Sequence, residues 1–255
     1  MNDLTFYCAG SSKALYYAAA FLMEEGAVFL PCPDHTVTHL LLPIPSFEAD
    51  GSIKGGGNLF EILSALPKTV TVIGGNLRRT ELEGYEVLDL LEDPWYLARN
   101  ASITAHCALE LALAKLPVTL EKCPVLVIGW GRIGKCLANQ LQALGARVTV
   151  AARKESDRAI LSALGFCAED SANLGPNLMR YRVIFNTAPE LVINESQGKY
   201  CQQDCVKIDL ASRLGIAGHG VIWARGLPNK DAPESSGMLM AKTVIRLLRE
   251  KEAKK

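Results

Sequence analysis

The sequence has no surplus of either charge: 27 Lys and Arg stand against 27 Asp and Glu, so the formal net charge is zero. That balance removes the electrostatic reason to expect nucleic acid or an anionic membrane surface as the main partner. Long hydrophobic runs are missing too. The longest, Ala14–Met23, covers ten residues, about half of the roughly 20 needed to cross a bilayer. The opening Met1-Asn2-Asp3-Leu4 lacks the basic stretch that begins a secretory signal. These features lead us to expect a soluble, cytoplasmic protein. No Cys-x-x-Cys pair occurs among the eight cysteines, which lie scattered through apolar segments and read as reduced thiols. Cys32, His35 and His39 are the one candidate metal cluster. However, His35 and His39 lead into the strand-like Leu40-Leu41-Leu42, and strand positions four apart lie about 13 Å from each other. A zinc ion with bonds near 2 Å cannot span that distance, so no metal is expected. What the chain does have is an ordinary globular composition, 49% apolar and 21% charged with 21 Gly and 12 Pro. It can bury a full core without staples, as one large domain or two small ones.

Short β-rich runs alternate with helical stretches along the whole length, which predicts α/β layering with mostly parallel strands. The expected first strand is Leu4–Cys8, followed by the turn Ala9-Gly10-Ser11-Ser12 and a helix with Leu15, Ala18, Ala19 and Leu22 on one face, stopped at Gly26. Strands at Val28–Leu30 and Val37–Leu42, a Gly/Pro-rich loop over Pro43–Gly57, a helix near Leu59–Leu66, and strands at Thr69–Ile73 and Tyr85–Leu88 complete a first lobe. A long helix runs from Pro94 to about Leu116, and another over Pro233–Lys251 leads into the solvated tail Arg249–Lys255. The expected architecture is therefore two-lobed α/β. A smaller flavodoxin-like or Rossmann-like domain over residues 1–98 is joined by two long helices to a Rossmann-type, doubly wound parallel sheet over residues 99–255.

The segment richest in chemistry begins at the buried-strand run Val125-Leu126-Val127-Ile128. Gly129-Trp130-Gly131-Arg132-Ile133-Gly134 follows at once, then a helix with Ile133, Leu137, Leu141 and Leu144 on one face, a stop at Gly145 and a strand over Arg147–Ala152. In such a unit the first glycine makes the turn, the second lets backbone approach a pyrophosphate, and the third lets helix and strand pack closely. The helix N-terminus offers its free N–H groups to the phosphates. A bare Gly-x-Gly-x-x-Gly is a weak signal, but here strand, turn, helix and second strand are all in order. The tip of the second strand reads Ala151-Ala152-Arg153-Lys154. It lacks the carboxylate that takes a ribose 2′-hydroxyl and has two cations suited to a 2′-phosphate, which favours NADP over NAD. Three later strands, Val183–Phe185, Val206–Leu210 and Val221–Ala224, end in Asn186-Thr187-Ala188-Pro189, Ala211-Ser212-Arg213 and Gly226-Leu227-Pro228. These ends fall on the carboxyl edge of the sheet, where Asn186, Thr187, Ala188 and Pro189 are candidates for contact with cofactor ribose or nicotinamide amide.

Val125–Ala138, Ala143–Arg153, Asp209–Arg213 and Gly226–Ala241, together with Leu41-Leu42-Pro43-Ile44-Pro45, resemble the family of dehydrogenase-like dipicolinate synthase subunits found in endospore-forming bacteria. The most specific pieces are Leu210-Ala211-Ser212-Arg213 and Gly226-Leu227-Pro228 with Ala232-Pro233 and Gly237. The resemblance implies oxidation of dihydrodipicolinate to dipicolinate with NADP. It also implies a second, flavoprotein-like partner, an oligomeric assembly and a place in the mother-cell cytoplasm. A dicarboxylate substrate makes Arg213 a candidate anchor through its bidentate fork, with Lys230 a weaker second. His106 is a candidate proton acceptor, since the ordinary imidazole pKa of about 6.5 suits that task. Two other readings stay open: a D-2-hydroxyacid or amino-acid dehydrogenase, and a non-catalytic NADP-binding assembly component.

Overall fold

The computed structural model describes residues 4–253; the reading of the first three residues, and the last two lysines of the solvated tail, lie outside them. The chain divides into two compact units. One takes in the chain through Asn100 together with everything from Pro228 onward, and the other is Ala101–Leu227. The first unit opens with β1 (Thr5–Cys8), α1 (Lys13–Glu24), β2 (Val28–Phe29), β3 (His39–Leu41), α2 (Leu59–Ala65), β4 (Thr71–Gly74) and β5 (Glu86–Asp89). The helix α3 (Pro94–Leu113) then carries the chain across the boundary. The second unit comprises β6 (Pro124–Ile128), α4 (Arg132–Ala143), β7 (Arg147–Ala152), α5 (Glu155–Ala163), β8 (Cys167–Asp170), β9 (Val183–Asn186), α6 (Glu195–Gly198), β10 (Val206–Asp209) and β11 (Val221–Trp223). A short α7 (Leu227–Asp231) returns the chain to the first unit, and α8 (Pro233–Glu252) ends the described chain.

Every strand pairing between these elements is parallel. Parallel sheets are covered on both faces and so tolerate unbroken apolar runs. Leu40-Leu41-Leu42 and Val125-Leu126-Val127-Ile128 are such runs, all fully buried. The first sheet has the order β2-β1-β3-β4-β5, the flavodoxin-like arrangement. The second runs β11-β10-β9-β6-β7-β8, the doubly wound Rossmann order, with its topological switch between β6 and β9. In α1, the Ser12 side chain accepts from the Leu15 N–H at 3.0 Å and caps the helix. Its buried face is Ala14, Leu15, Ala18 and Leu22, close to the face expected from spacing.

Two expectations need correction. The expected boundary places the last long helix with the nucleotide domain, as a bridge, whereas α8 lies within the first unit. The cause is a backbone-to-backbone helix crossing: a Cβ on Gly237 would fall 2.5 Å from Tyr17 Cβ and 2.6 Å from the Ala14 carbonyl. With that helix included, the two units are of near-equal length, so the first is not the smaller. Finally, the structure adds α5 and β8, for which the sequence gives no expectation. Cys167-Ala168-Glu169-Asp170 is a polar edge strand without the apolar alternation that marks a strand in sequence. All eight cysteines are free. Among the described residues, no helix is long and apolar enough to cross a membrane.

One core group titrates. His39 is 7% exposed, stacks on Phe6 with ring centroids 4.9 Å apart, and has Nδ1 2.7 Å from the Thr38 hydroxyl. Burial, reinforced by the nearby Lys251 charge and opposed by Glu86, lowers its pKa from 6.5 to about 4. The fold therefore holds a neutral imidazole, whereas the unfolded chain takes up a proton near pH 6.5. Between those values the unfolded state binds more protons, so stability falls as pH is lowered through 6.5 toward 4. From pH 7.5 to pH 5 this one group should cost about 2 kcal/mol. Urea unfolding of the parent and of His39→Phe at the two pH values checks it: the variant should lose measurably less stability, and an equal loss would remove His39 as the cause.

Candidate functional site

The site grows out of the turn between β6 and α4. Gly129 leaves the strand with φ +102°, a left-handed conformation that suits glycine, and its N–H donates to the Ala151 carbonyl at 2.9 Å. A Cβ there would meet Thr187 Oγ1 at 2.5 Å. Gly134, one turn into α4, is tighter still: its Cβ would lie 2.1 Å from the Gly129 carbonyl oxygen. These two glycines serve packing. Gly131 differs. Its backbone is extended at φ −82°, and a Cβ on it would meet nothing within 4 Å. As the N-cap of α4, glycine has no side chain with which to cap the helix, so the first-turn N–H groups have no side-chain acceptor from that position. A free space beside uncapped helix N–H groups is what a phosphate requires.

That space is a cavity of about 240 Å³ at the switch point, lined by Gly129, Trp130, Gly131, Ala152, Arg153, Lys154, Asp157, Ser171, Ala188 and Glu190 among others. Trp130 is half-buried and packs edge-on to Phe166 at 5.8 Å, with Lys135 Nζ 5.6 Å from its ring. Arg132 and Ile133 form the first turn of α4 and their side chains are not among the lining groups. Arg153 and Lys154 do line the cavity. The Arg153 guanidinium is paired with Glu190 through Nη1, at 3.0 and 3.1 Å from the two carboxylate oxygens. Arg158 holds the strand tip beneath it, donating to the Ala152 and Arg153 carbonyls at 2.9 and 2.7 Å.

The strand-end tetrapeptide after β9 is used differently from expectation. Ala188 lines the cavity, but Asn186 is fully buried and its side chain is spent internally. Its Nδ2 donates to both oxygens of Asp209 at 3.1 Å, and its Oδ1 accepts from the Ala188 N–H at 3.1 Å. Thr187 turns inward as well, its hydroxyl donating to the Ile128 carbonyl at 2.9 Å, and Pro189 is exposed outside the lining. The residue that sequence reasoning missed is Asp209. Fully buried at the end of β10, its carboxylate also accepts from the N–H groups of Ala211, Gly215 and Ile216 at 3.0, 2.7 and 3.0 Å. This clamp sets the shape of the 210–216 loop. An acid closing an otherwise apolar strand was the available signal.

Arg213 sits on that loop, exposed, and among the described residues it has no ion-pair partner. Lys230 lies in α7 on the first unit's side of the division, so the two candidate anchors belong to different units. His106 does not reach the nucleotide cavity. It is exposed on α3 and lines a separate apolar groove with Leu109, Leu113, Ala143 and Leu144. The reason is helical: Ala105, Ala108 and Ala112 form the buried face of α3, and His106 points away from it.

Fold and cavity together define a two-unit α/β protein with a cavity at the switch point of a doubly wound, Rossmann-type sheet. The apo-structure of D-lactate dehydrogenase from Escherichia coli superposes with a TM-score of 0.60 over 98% of this chain and 97% of that one, at 13% identity. A more specific likeness is to the A component of dipicolinate synthase from Bacillus subtilis (strain 168), 28% identical over 162 residues, which are 60% of this chain and 54% of that protein's length. The crystal structure of the dipicolinate synthase A chain from Bacillus subtilis matches 100% of this chain and 99% of its own, with a TM-score of 0.83 at 22% identity. No protein-family profile matches the chain.

The glycines can be told apart by experiment. Gly134→Val drives a side chain into the Gly129 carbonyl, and overpacking of this kind costs about 1–3 kcal/mol, which thermal melting should register as a clear fall in Tm. Gly131→Val faces open space and should leave Tm within about a degree of the parent, as surface substitutions usually do. Equal destabilisation by both would contradict the packing described here.

Proposed function

We propose that this protein is the dehydrogenase-like component of a dipicolinate synthase, oxidising dihydrodipicolinate to dipicolinate with NADP during endospore formation. In this reading it works in the mother-cell cytoplasm, in an oligomeric assembly with a second, flavoprotein-like subunit. The observation that carries the nucleotide half is the uncapped start of α4 beside the space at Gly131. The substrate half is supported by the likeness to the Bacillus subtilis dipicolinate synthase component and by Arg213 on the carboxyl edge of the second sheet.

Bound there, NADP supplies the hydride acceptor. The residues that hold it are the first-turn N–H groups of α4 for the pyrophosphate, and Arg153 with Lys154 for the 2′-phosphate. Loss of a hydride and a proton turns a dihydropyridine into an aromatic ring, so the chemistry runs downhill once the ring is aligned. The demand on the protein is positioning. Arg213 grips one carboxylate of the substrate through two parallel N–H bonds, and Asp209 keeps the loop beneath it in one shape by accepting from three loop N–H groups. Lys230 belongs to the other unit and is given no part in this site. His106, away from the cavity, is dropped from the proposed chemistry. A D-2-hydroxyacid dehydrogenase reading fits less well. It calls for a histidine paired with an acid, whereas His219 sits exposed between Gly218 and Gly220, with its carbonyl accepting from Lys207 at 2.7 Å.

Gly131→Val should abolish NADPH binding, read by quenching of tryptophan fluorescence with Trp130 in the loop itself. Arg213→Lys keeps the charge but loses the fork, and should lower turnover of dihydrodipicolinate roughly tenfold, the equivalent of about 1.4 kcal/mol, with NADPH affinity unchanged. The assay follows dipicolinate by its ultraviolet absorbance with the flavoprotein-like partner in excess. Full turnover in Arg213→Lys strikes this residue from the site. No product from the parent in the presence of the partner favours the reading as a non-catalytic assembly component.

A further inference from the structure

The tip of β7 reads Ala151-Ala152-Arg153 and lacks the carboxylate that ordinarily meets a ribose 2′-hydroxyl at this point of the fold. The cavity nevertheless has an acid in reach of that position. Glu190, delivered by the loop after β9, lines the same cavity and takes the Arg153 guanidinium at 3.0 and 3.1 Å. It arrives from 37 positions away in the chain.

We infer that Glu190 is a specificity-determining residue of this site: it tilts the site toward a ribose without a 2′-phosphate and narrows the NADP preference that Arg153 and Lys154 create. The inference rests on the dinucleotide reading above and deepens it. An Arg fork serves one oxyanion well, and here Nη1 donates to both oxygens of Glu190. An incoming 2′-phosphate has to take Arg153 from that carboxylate, which is then left unneutralised beside a phosphate of nearly two negative charges. Asp157, on the same lining, adds to the repulsion. A 2′-hydroxyl meets neither obstacle, because it can donate to Glu190 while Arg153 stays paired. The pair itself is easily broken, since the two side chains are 71% and 55% exposed and exposed pairs are weak. The larger effect is repulsion between carboxylate and phosphate, which at a few ångströms in water amounts to roughly five- to tenfold in affinity.

The test is the ratio of NADPH to NADH dissociation constants, measured by tryptophan fluorescence at about 50 mM salt for the parent, Glu190→Gln and Glu190→Ala. Both variants should tighten NADPH roughly five- to tenfold and leave NADH unchanged or weaker. The gain should shrink at about 1 M salt, where the screening length is near 3 Å. A purely structural role for Glu190 would move both constants together. A parent that binds both dinucleotides, with a ratio unmoved in the two variants, overturns the Glu190 assignment alone. A parent that binds neither overturns the dinucleotide reading and this inference with it.

Discussion

The close approach of α4 to the end of β6 is the constraint on which the second unit depends. With 2.1 Å between a notional Gly134 Cβ and the Gly129 carbonyl, no other residue lets the helix start where it does. The cavity follows from that start: α4 begins, with its first-turn N–H groups, at the switch point beside the open space at Gly131, and Ala188 from the neighbouring strand end joins the lining. A helix displaced outward by one methyl group would carry those N–H groups with it. The same glycine pair thus sets the packing of the sheet and the place where a phosphate can be met.

A second constraint works on the opposite side of the switch point. Asp209 is a fully buried carboxylate with no ion-pair partner among the described residues, a costly arrangement unless its lone pairs are used. Here it is satisfied by three backbone N–H groups and the Asn186 amide. Because those donors come from one strand end and one loop, and Asp209 itself from a second strand end, a single buried carboxylate fixes the relative geometry of all three. Gly215 belongs to the same knot, since a Cβ on it would fall 2.3 Å from Asn186 Nδ2. The loop bearing Arg213 is therefore anchored at its base and exposed at its tip, a useful combination for a side chain that must grip a ligand.

The cavity mouth is balanced rather than basic. Arg153 and Lys154 share the lining with Glu190 and Asp157, so the two cations read in the sequence do not present an undivided positive field. A preference for one dinucleotide over another in such a place is a matter of which oxyanion holds the guanidinium, and that is decided by partners rather than by the count of charges.

Backbone chemistry makes much of this protein legible in its sequence. The glycine turn, the parallel α/β layering and the buried runs at Leu40–Leu42 and Val125–Ile128 depend on residues adjacent in the chain, whose conformational limits and periodicity act locally. The polar edge strand at Cys167–Asp170 carries no such pattern, because its neighbour β7 rather than its own composition makes it a strand. The part of Gly131 is legible because it is a backbone role that needs no side chain, whereas side-chain roles depend on partners. Tertiary structure alone decided that Asn186 serves Asp209 from 23 positions away and that Glu190 holds Arg153. It also decided that His106 faces an apolar groove and that α8 belongs with α1. Each of these is a contact between segments distant in sequence, and a carboxylate or amide is chemically equal to several tasks until the folded chain settles which partner reaches it.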